Sequence, residues 1–147
     1  MVFFLVLKLI SLQNLDLALA GSIVKFRNLT KLELAADWHF LPKFLESADH
    51  LEILIIHELE SDLKCWMEPH QVPKCLLSRL RTIRIDQFEC TEHEFGLIRY
   101  LLRNGKVLER MEICSEREET EWEANVDALM RISSFQRGSE ACELVFH

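Results

Sequence analysis

Glycine and proline are scarce in this chain of 147 residues, which contains only 4 glycines and 3 prolines. That scarcity excludes a collagen-like chain, a flexible linker and a disordered low-complexity segment. The glycines are also too far apart to build a GxxxxGK or GxGxxG phosphate loop, or a GxSxG elbow around a nucleophilic serine. The sequence therefore excludes the common kinds of nucleotide chemistry.

Positive charge is in short supply as well, because 17 Lys and Arg face 24 Asp and Glu, for a net charge of −7. Such a chain has no surplus of cations for a phosphate backbone, so we expect no nucleic-acid partner. The apolar residues 1–10 are too few to cross a bilayer and lack the flanks of a signal peptide. We expect a soluble intracellular protein, cytoplasmic or nuclear, with no membrane partner.

The cysteines are not spaced for disulfide bonds or for a metal site. The five cysteines are odd in number and contain no CxxC pair, which favours reduced, buried thiols over a disulfide framework. Cys65, His70 and Cys75 have ligand-type side chains, but a closed zinc site needs a fourth ligand. We therefore predict no metal and no cofactor.

Leucine, in contrast, is abundant, with 25 copies that recur in one template. The template is an apolar residue, two variable residues, an apolar residue, one variable residue and a last apolar residue. Its copies begin at Leu12, Leu29, Leu51, Leu80 and Leu108, with a degenerate sixth at Ala141. The alternation that ends each copy is typical of a short strand. Residues 2–9 add a possible first strand, with an edge that a partner or a second copy would cover.

Helical spacing separates the copies. Thr91 and Glu94 form a capping box at the start of one helix, and Asn104-Gly105 predicts a left-handed stop at its end. A second predicted helix runs from about 122 to 132. Its predicted buried residues are Val126, Leu129 and Met130. A third begins near Pro42 and is predicted to bury Phe44, Leu45 and Ala48.

Strands that alternate with helices predict parallel strands joined by right-handed crossovers, and the template is that of the leucine-rich repeat. We therefore predict an α/β fold, a short leucine-rich-repeat solenoid in which successive copies lie side by side. This packing requires Leu32, Leu54, Ile83 and Met111 to share one buried environment.

Three segments carry a resemblance to a known family. They are WMEPHQVPKCLLSRL at 66–80, YLLRNGKVLERM at 100–111 and SSFQRGS at 133–139. They resemble the FBD domain of plant F-box proteins with leucine-rich repeats, and FRNLTKLEL at 26–34 resembles the repeats that precede it. The resemblance implies a leucine-rich-repeat segment at 1–63 and an FBD-like α/β unit at 64–147 that continues the same solenoid.

In that family the F-box docks on the adaptor of a cullin ubiquitin ligase, and the repeats hold the target. The resemblance thus implies a role in target recognition for ubiquitin ligation. This sequence contains no F-box, so we do not expect it to bind the ligase adaptor directly. An alternative is a stand-alone binder or competitor that is not linked to ubiquitin ligation.

Catalytic constellations are missing from the sequence. His57 and His93 could serve as bases only beside a nucleophile, and none is indicated. The acidic residues between 116 and 123 lack the glycine and spacing of a calcium loop. We expect no enzyme; a hydrolase or a metal enzyme is the third reading.

The predicted functional surface is the ladder of side chains that alternate with the core leucines. It supplies the predicted contacts to an unidentified protein target, which are Glu33, Ile53, Ile55, His57, Arg84 and Glu112. An apolar centre with a charged rim is typical of a protein-contact site. The alternative left open is that these residues only pack against each other across neighbouring strands.

Overall fold

The computed structural model describes residues 3–8, 28–35, 37–57, 64–115 and 122–147. Its centre is one sheet in which the strands follow one another in chain order and every neighbouring pair is parallel. The strands are β1 (Phe3–Lys8), β2 (Leu29–Ala35), β3 (Ile53–Ile56), β4 (Thr82–Ile85), β5 (Arg110–Ile113) and β6 (Glu143–Phe146). The predicted α/β fold of parallel strands is confirmed.

Helices lie in the crossovers between these strands. They are a 3-10 turn (Trp38–Phe40) and the α-helices α1 (Leu41–Ser47), α2 (Lys74–Ser78), α3 (Glu92–Asn104) and α4 (Trp122–Ser133). The prediction for α1 is confirmed, because Pro42 lies in its first turn and the three residues predicted to be buried are at most 2% exposed.

The register of the sheet explains the leucine template. The fourth position of each copy forms one lateral row, Leu32, Leu54, Ile83, Met111 and Leu144. The first four of these residues are 0% exposed, so the copies do lie side by side. The copy that begins at Leu12 lies outside the described residues, and β1 pairs directly with β2. The sheet continues from β3 to β4 across the predicted boundary between residues 1–63 and 64–147. The division into two units at that boundary stays a prediction.

Helix α3 begins as predicted but ends differently. Thr91 Oγ1 accepts a hydrogen bond from Glu94 N at 3.3 Å, and Thr91 N donates to Glu94 Oε1 at 3.0 Å. Gly105 has φ −76°, so the predicted left-handed stop is wrong. A glycine is still needed there, because a Cβ would lie 2.7 Å from the carbonyl oxygen of Leu101. Close packing, not a positive φ, selects this residue.

Helix α4 is rotated relative to its predicted buried face. Met130 is 67% exposed, and the buried residues are instead Ala128 and Ile132; Val126 and Leu129 are half-buried. Ala128 and Ile132 lie one turn apart and define the packed face of the helix. Arg131 also faces α3, since its guanidinium lies 4.0 Å from the centre of the Phe95 ring and 2.8 Å from the Glu92 carboxylate. Met130 is left on the solvent side, which the apolar pattern of α4 alone could not indicate.

Candidate functional site

The exposed sheet face is the side of the sheet opposite the buried leucine rows. Side chains alternate along each strand, and the register places the intervening positions side by side. We define the exposed sheet face by Lys31, Glu33, Ala35, Ile53, Ile55, His57, Thr82, Arg84, Asp86, Arg110, Glu112, Cys114, Glu143 and Val145. All six predicted contact residues lie on this face.

Four of the predicted contact residues form a single row across the sheet. Glu33 on β2 is level with Ile55 on β3, Arg84 on β4 and Glu112 on β5. Ile53 lies one row away on the N-terminal side, and His57 lies one row away on the C-terminal side, where its N–H donates to Leu34 O. The structure therefore brings together residues that are up to 79 positions apart in the sequence.

Ion pairs, together with two contacts between the His57 ring and carboxylates, link the polar members of the exposed sheet face into one chain from β2 to β6. The successive contacts are Lys31–Glu33 at 3.5 Å, Glu33–His57 at 3.5 Å, His57–Asp86 at 3.2 Å, Asp86–Arg84 at 2.8 Å, Arg84–Glu112 at 3.8 Å, Glu112–Arg110 at 2.7 Å and Arg110–Glu143 at 3.4 Å. The hydrogen bond to Asp86 raises the pKa of Arg84 above its usual value. Acid and base thus alternate, and the face carries no strong charge of one sign.

These pairs lie at the protein surface, where each contributes between about 0 and 1 kcal/mol to stability. Their main effect is to fix the orientation of the charged side chains around Ile53 and Ile55, which remain half-buried. Charged residues of the ladder do contact each other across strands, as the alternative interpretation required. Whether the face also binds a partner stays a prediction.

His57, Asp86 and Cys114 meet at the C-terminal ends of three neighbouring strands. Asp86 contacts the His57 ring at 3.2 Å, and Cys114 follows β5 on the other side of β4. A nucleophilic cysteine needs the base beside the sulfur and a lowered pKa. Burial instead raises the pKa of Cys114, so the arrangement does not favour a thiolate.

The other candidate ligands do not converge in the described part of the chain. Cys65 and His70 are exposed, whereas Cys75 is buried and its thiol donates to Leu45 O at 3.6 Å. No group of three or more His, Cys, Asp or Glu side chains in these residues could hold a metal ion. His93 accepts a hydrogen bond from Trp66 N at 3.2 Å. Of the acidic cluster, only Glu123 lies within the described residues.

Sequence reasoning overlooked two members of the exposed sheet face. Glu143 and Val145 belong to β6, where they are level with Arg110 and Glu112. The alternation in the degenerate sixth copy was the signal that could have placed them, because the intervening positions of every copy share one face.

The cysteines provide a direct check of these environments. We expect a thiol reagent added to the native protein at pH 8 to modify Cys65 first, because it is exposed, and to leave Cys75 unmodified. Burial raises the pKa of Cys75 to about 12, so both access and thiolate formation are suppressed. Peptide mass spectrometry after timed labelling measures both rates. A Cys65→Ser variant should lose the fast phase, and rapid native labelling of Cys75 would contradict its burial.

The architecture defines an α/β protein built from parallel strand-and-helix repeats. Residues 68–113 match the model of the FBD family. Its resemblance to F-box, leucine-rich-repeat and FBD proteins, seen in the sequence, is confirmed.

Proteins of Arabidopsis thaliana are among the relatives. An F-box/FBD/LRR-repeat protein is 34% identical over 130 residues, covering 83% of this chain and 29% of its own length. A probable FBD-associated F-box protein is 34% identical over 82 residues, covering 56% of this chain and 19% of its own. A further F-box/FBD/LRR-repeat protein is 30% identical over 131 residues, covering 82% of this chain and 30% of its own.

The chain thus spans less than a third of the length of these curated relatives. No solved structure matches it significantly. Among the helices of the described residues, none has both the length and the apolar character needed to cross a membrane.

Proposed function

We propose that this chain is a non-enzymatic protein-binding module and that the exposed sheet face holds its protein target. The observation that carries the proposal is the convergence of all six predicted contact residues on that face. Ile53 and Ile55 form a half-buried apolar centre. The ion-paired side chains around them supply a polar rim that is already oriented, which lowers the entropy lost on binding.

The relatives support a more specific role. Their names include the F-box, and the family resemblance implies that the repeats hold a target for ubiquitin ligation. The proposed target is a folded or extended protein segment that places apolar side chains over Ile53 and Ile55. Polar groups of that segment would then exchange contacts with Arg84 and Glu33, which lie beside Ile55 in the same row.

Replacing Ile55 with Asp should abolish target binding and lower the thermal midpoint by only a few degrees, with no global unfolding. Removing the added carboxylate from water in an interface costs free energy, which opposes binding. The folded chain tolerates it because position 55 lies beside Glu33 and Arg84 on the exposed sheet face, away from the leucine core. The measurement compares proteins captured from plant extract by the wild type and by the variant, with calorimetry of both. The matched control is Leu77→Asp, because Leu77 is 45% exposed on α2.

Three outcomes would contradict the proposal. Targets retained by both Ile55→Asp and Arg84→Glu would exclude the face as the binding site, and global unfolding of Ile55→Asp would place Ile55 in the core. A metal bound to the purified protein, or a nucleophilic cysteine that a thiol reagent labels much faster than the other four, would favour an enzyme. Co-purification of a cullin adaptor with the target supports the ligase role, whereas the target alone supports the stand-alone binder.

A further inference from the structure

The outer edge of β6 has unpaired backbone groups. In the parallel ladder Glu143 N donates to Glu109 O, His147 N donates to Ile113 O, and Ser115 N donates to His147 O. Glu143, Val145 and His147 therefore direct their backbone groups towards β5, and the residues between them direct theirs outward. The N–H and C=O groups of Leu144 and Phe146 have no partner among the described residues.

The centre of this edge is apolar and only partly protected. Natural edge strands avoid pairing by being short or by means of charged residues, proline or a bulge. β6 has four residues and begins with the exposed Glu143, but the LVF sequence that follows contains no charge and no proline. Leu144 and Phe146 point to the core side but are only partly buried. Phe146 is held in place by an edge-to-face contact with Phe88, with ring centres 6.1 Å apart. The edge is thus ordered before any further strand is added.

The side chains that flank the edge are complementary to themselves, because a carboxylate lies at one end of β6 and an imidazole at the other. Glu143 also contacts Arg110 on β5 at 3.4 Å. Glu143 begins β6 and His147 follows it, and both residues are exposed. If a second β6 is added antiparallel with Val145 opposite its own copy, Leu144 lies opposite Phe146 and Glu143 opposite His147. That register directs the free groups of Leu144 and Phe146 at each other as hydrogen-bonded pairs. Glu143 and His147 then form closely spaced pairs without backbone hydrogen bonds.

We infer that two copies of this chain associate through β6 in an antiparallel, two-fold arrangement that joins their sheets. Each copy contributes the same Leu144, Phe146, Glu143 and His147, as an isologous interface requires. The association adds backbone hydrogen bonds at the edge, covers the partly exposed Leu144 and Phe146, and pairs two carboxylates with two imidazoles. It does not depend on the proposed target binding, because it uses the backbone edge of β6 and none of the six predicted contact residues. Of the exposed sheet face it involves Glu143 and Val145, which lie at the margin on β6.

Sedimentation velocity over a concentration series reaching the high micromolar range tests this inference. The wild type should shift from monomer to dimer and stop there. His147→Glu places two carboxylates opposite each other in the proposed register, and Glu143→Lys places an ammonium opposite an imidazole. Each single variant should weaken the dimer by roughly tenfold, equivalent to about 1.4 kcal/mol. The double variant Glu143→Lys/His147→Glu restores opposite charges and should return to within about threefold of the wild type.

The matched control is Glu140→Lys, which makes the same charge change at an exposed position outside β6 and should leave the dimer unchanged. Hydrogen exchange adds a backbone readout, because the amides of Leu144 and Phe146 should become protected as the dimer forms. A monomer at every concentration overturns the inference. Growth beyond the dimer overturns the two-fold arrangement, and single variants that dimerise like the wild type exclude this edge.

Discussion

Replacing Glu94 with Gln should lower the free energy of unfolding by about 3–5 kcal/mol, because it removes one partner of a buried ion pair. Glu94 is 0% exposed and Lys64 is 2% exposed, and Lys64 Nζ lies 3.5 Å from Glu94 Oε2. Glutamine has nearly the same shape but carries no charge, so the Lys64 ammonium would be left buried without its counterion. This is the largest effect that we expect from a single conservative substitution in the chain.

Glu94 also connects the start of α3 to the loop before it. Its carboxyl oxygens accept hydrogen bonds from Glu89 N at 3.1 and 3.0 Å, Thr91 N at 3.0 Å and Thr91 Oγ1 at 2.8 Å. Lys64 donates to Gln87 O at 2.8 Å. Gln87 and Cys90 have positive φ values of 50° and 62°, which are uncommon for residues with a side chain. The buried pair therefore holds a loop whose backbone is unfavourable by itself.

Urea denaturation of the purified chain measures the effect of Glu94→Gln. The matched control is Glu92→Gln, two residues away on the same helix, whose pairing with Arg131 is exposed to solvent and should matter little. A second comparison uses Lys64→Met/Glu94→Gln, which removes both charges and should recover much of the lost stability. Equal destabilisation by Glu94→Gln and Glu92→Gln would show that burial of the Lys64–Glu94 pair is not important.

Leu54→Ala should lower the free energy of unfolding by about 2–5 kcal/mol, since it opens a cavity in a fully packed core. Leu54 is 0% exposed and lies between Leu32 and Ile83 in the central row of the sheet. Neighbours on both sides restrict the collapse of that cavity, so the loss should not fall to the low end of the range.

The adjacent residue is the natural control. Ile55→Ala removes an apolar group of similar size from the exposed sheet face, and we expect a loss of about 1 kcal/mol or less. The midpoints of urea unfolding, measured at constant slope, compare the two variants directly. A similar loss in both would mean that the two faces of the sheet are equally buried, which would contradict the assignment of Ile53 and Ile55 to a binding surface.

Sequence patterns predicted those structural features that depend on residues close to each other in the sequence. The capping box of Thr91 and Glu94 was readable because its partners are three positions apart, and β3 was readable because alternation assigns Leu54 and Ile55 to opposite faces. The same patterns did not predict the end of α3 or the rotation of α4. Gly105 is selected by the Leu101 carbonyl and the Leu108 side chain packed around it, and Met130 is exposed because α4 buries Ala128 and Ile132 instead.

The sequence by itself determined the parallel α/β architecture, the FBD resemblance and most of the side chains that share the exposed sheet face, because equivalent positions of the repeated template occupy equivalent positions on neighbouring strands. Only the tertiary structure decided which of those side chains pair, such as His57 with Asp86, and that Lys64 is buried beside Glu94, 30 residues away. It also decided which backbone groups of β6 remain open. The physical reason is that ion pairs, packing contacts and strand edges depend on distances between segments remote in sequence, and periodicity carries no information about those distances.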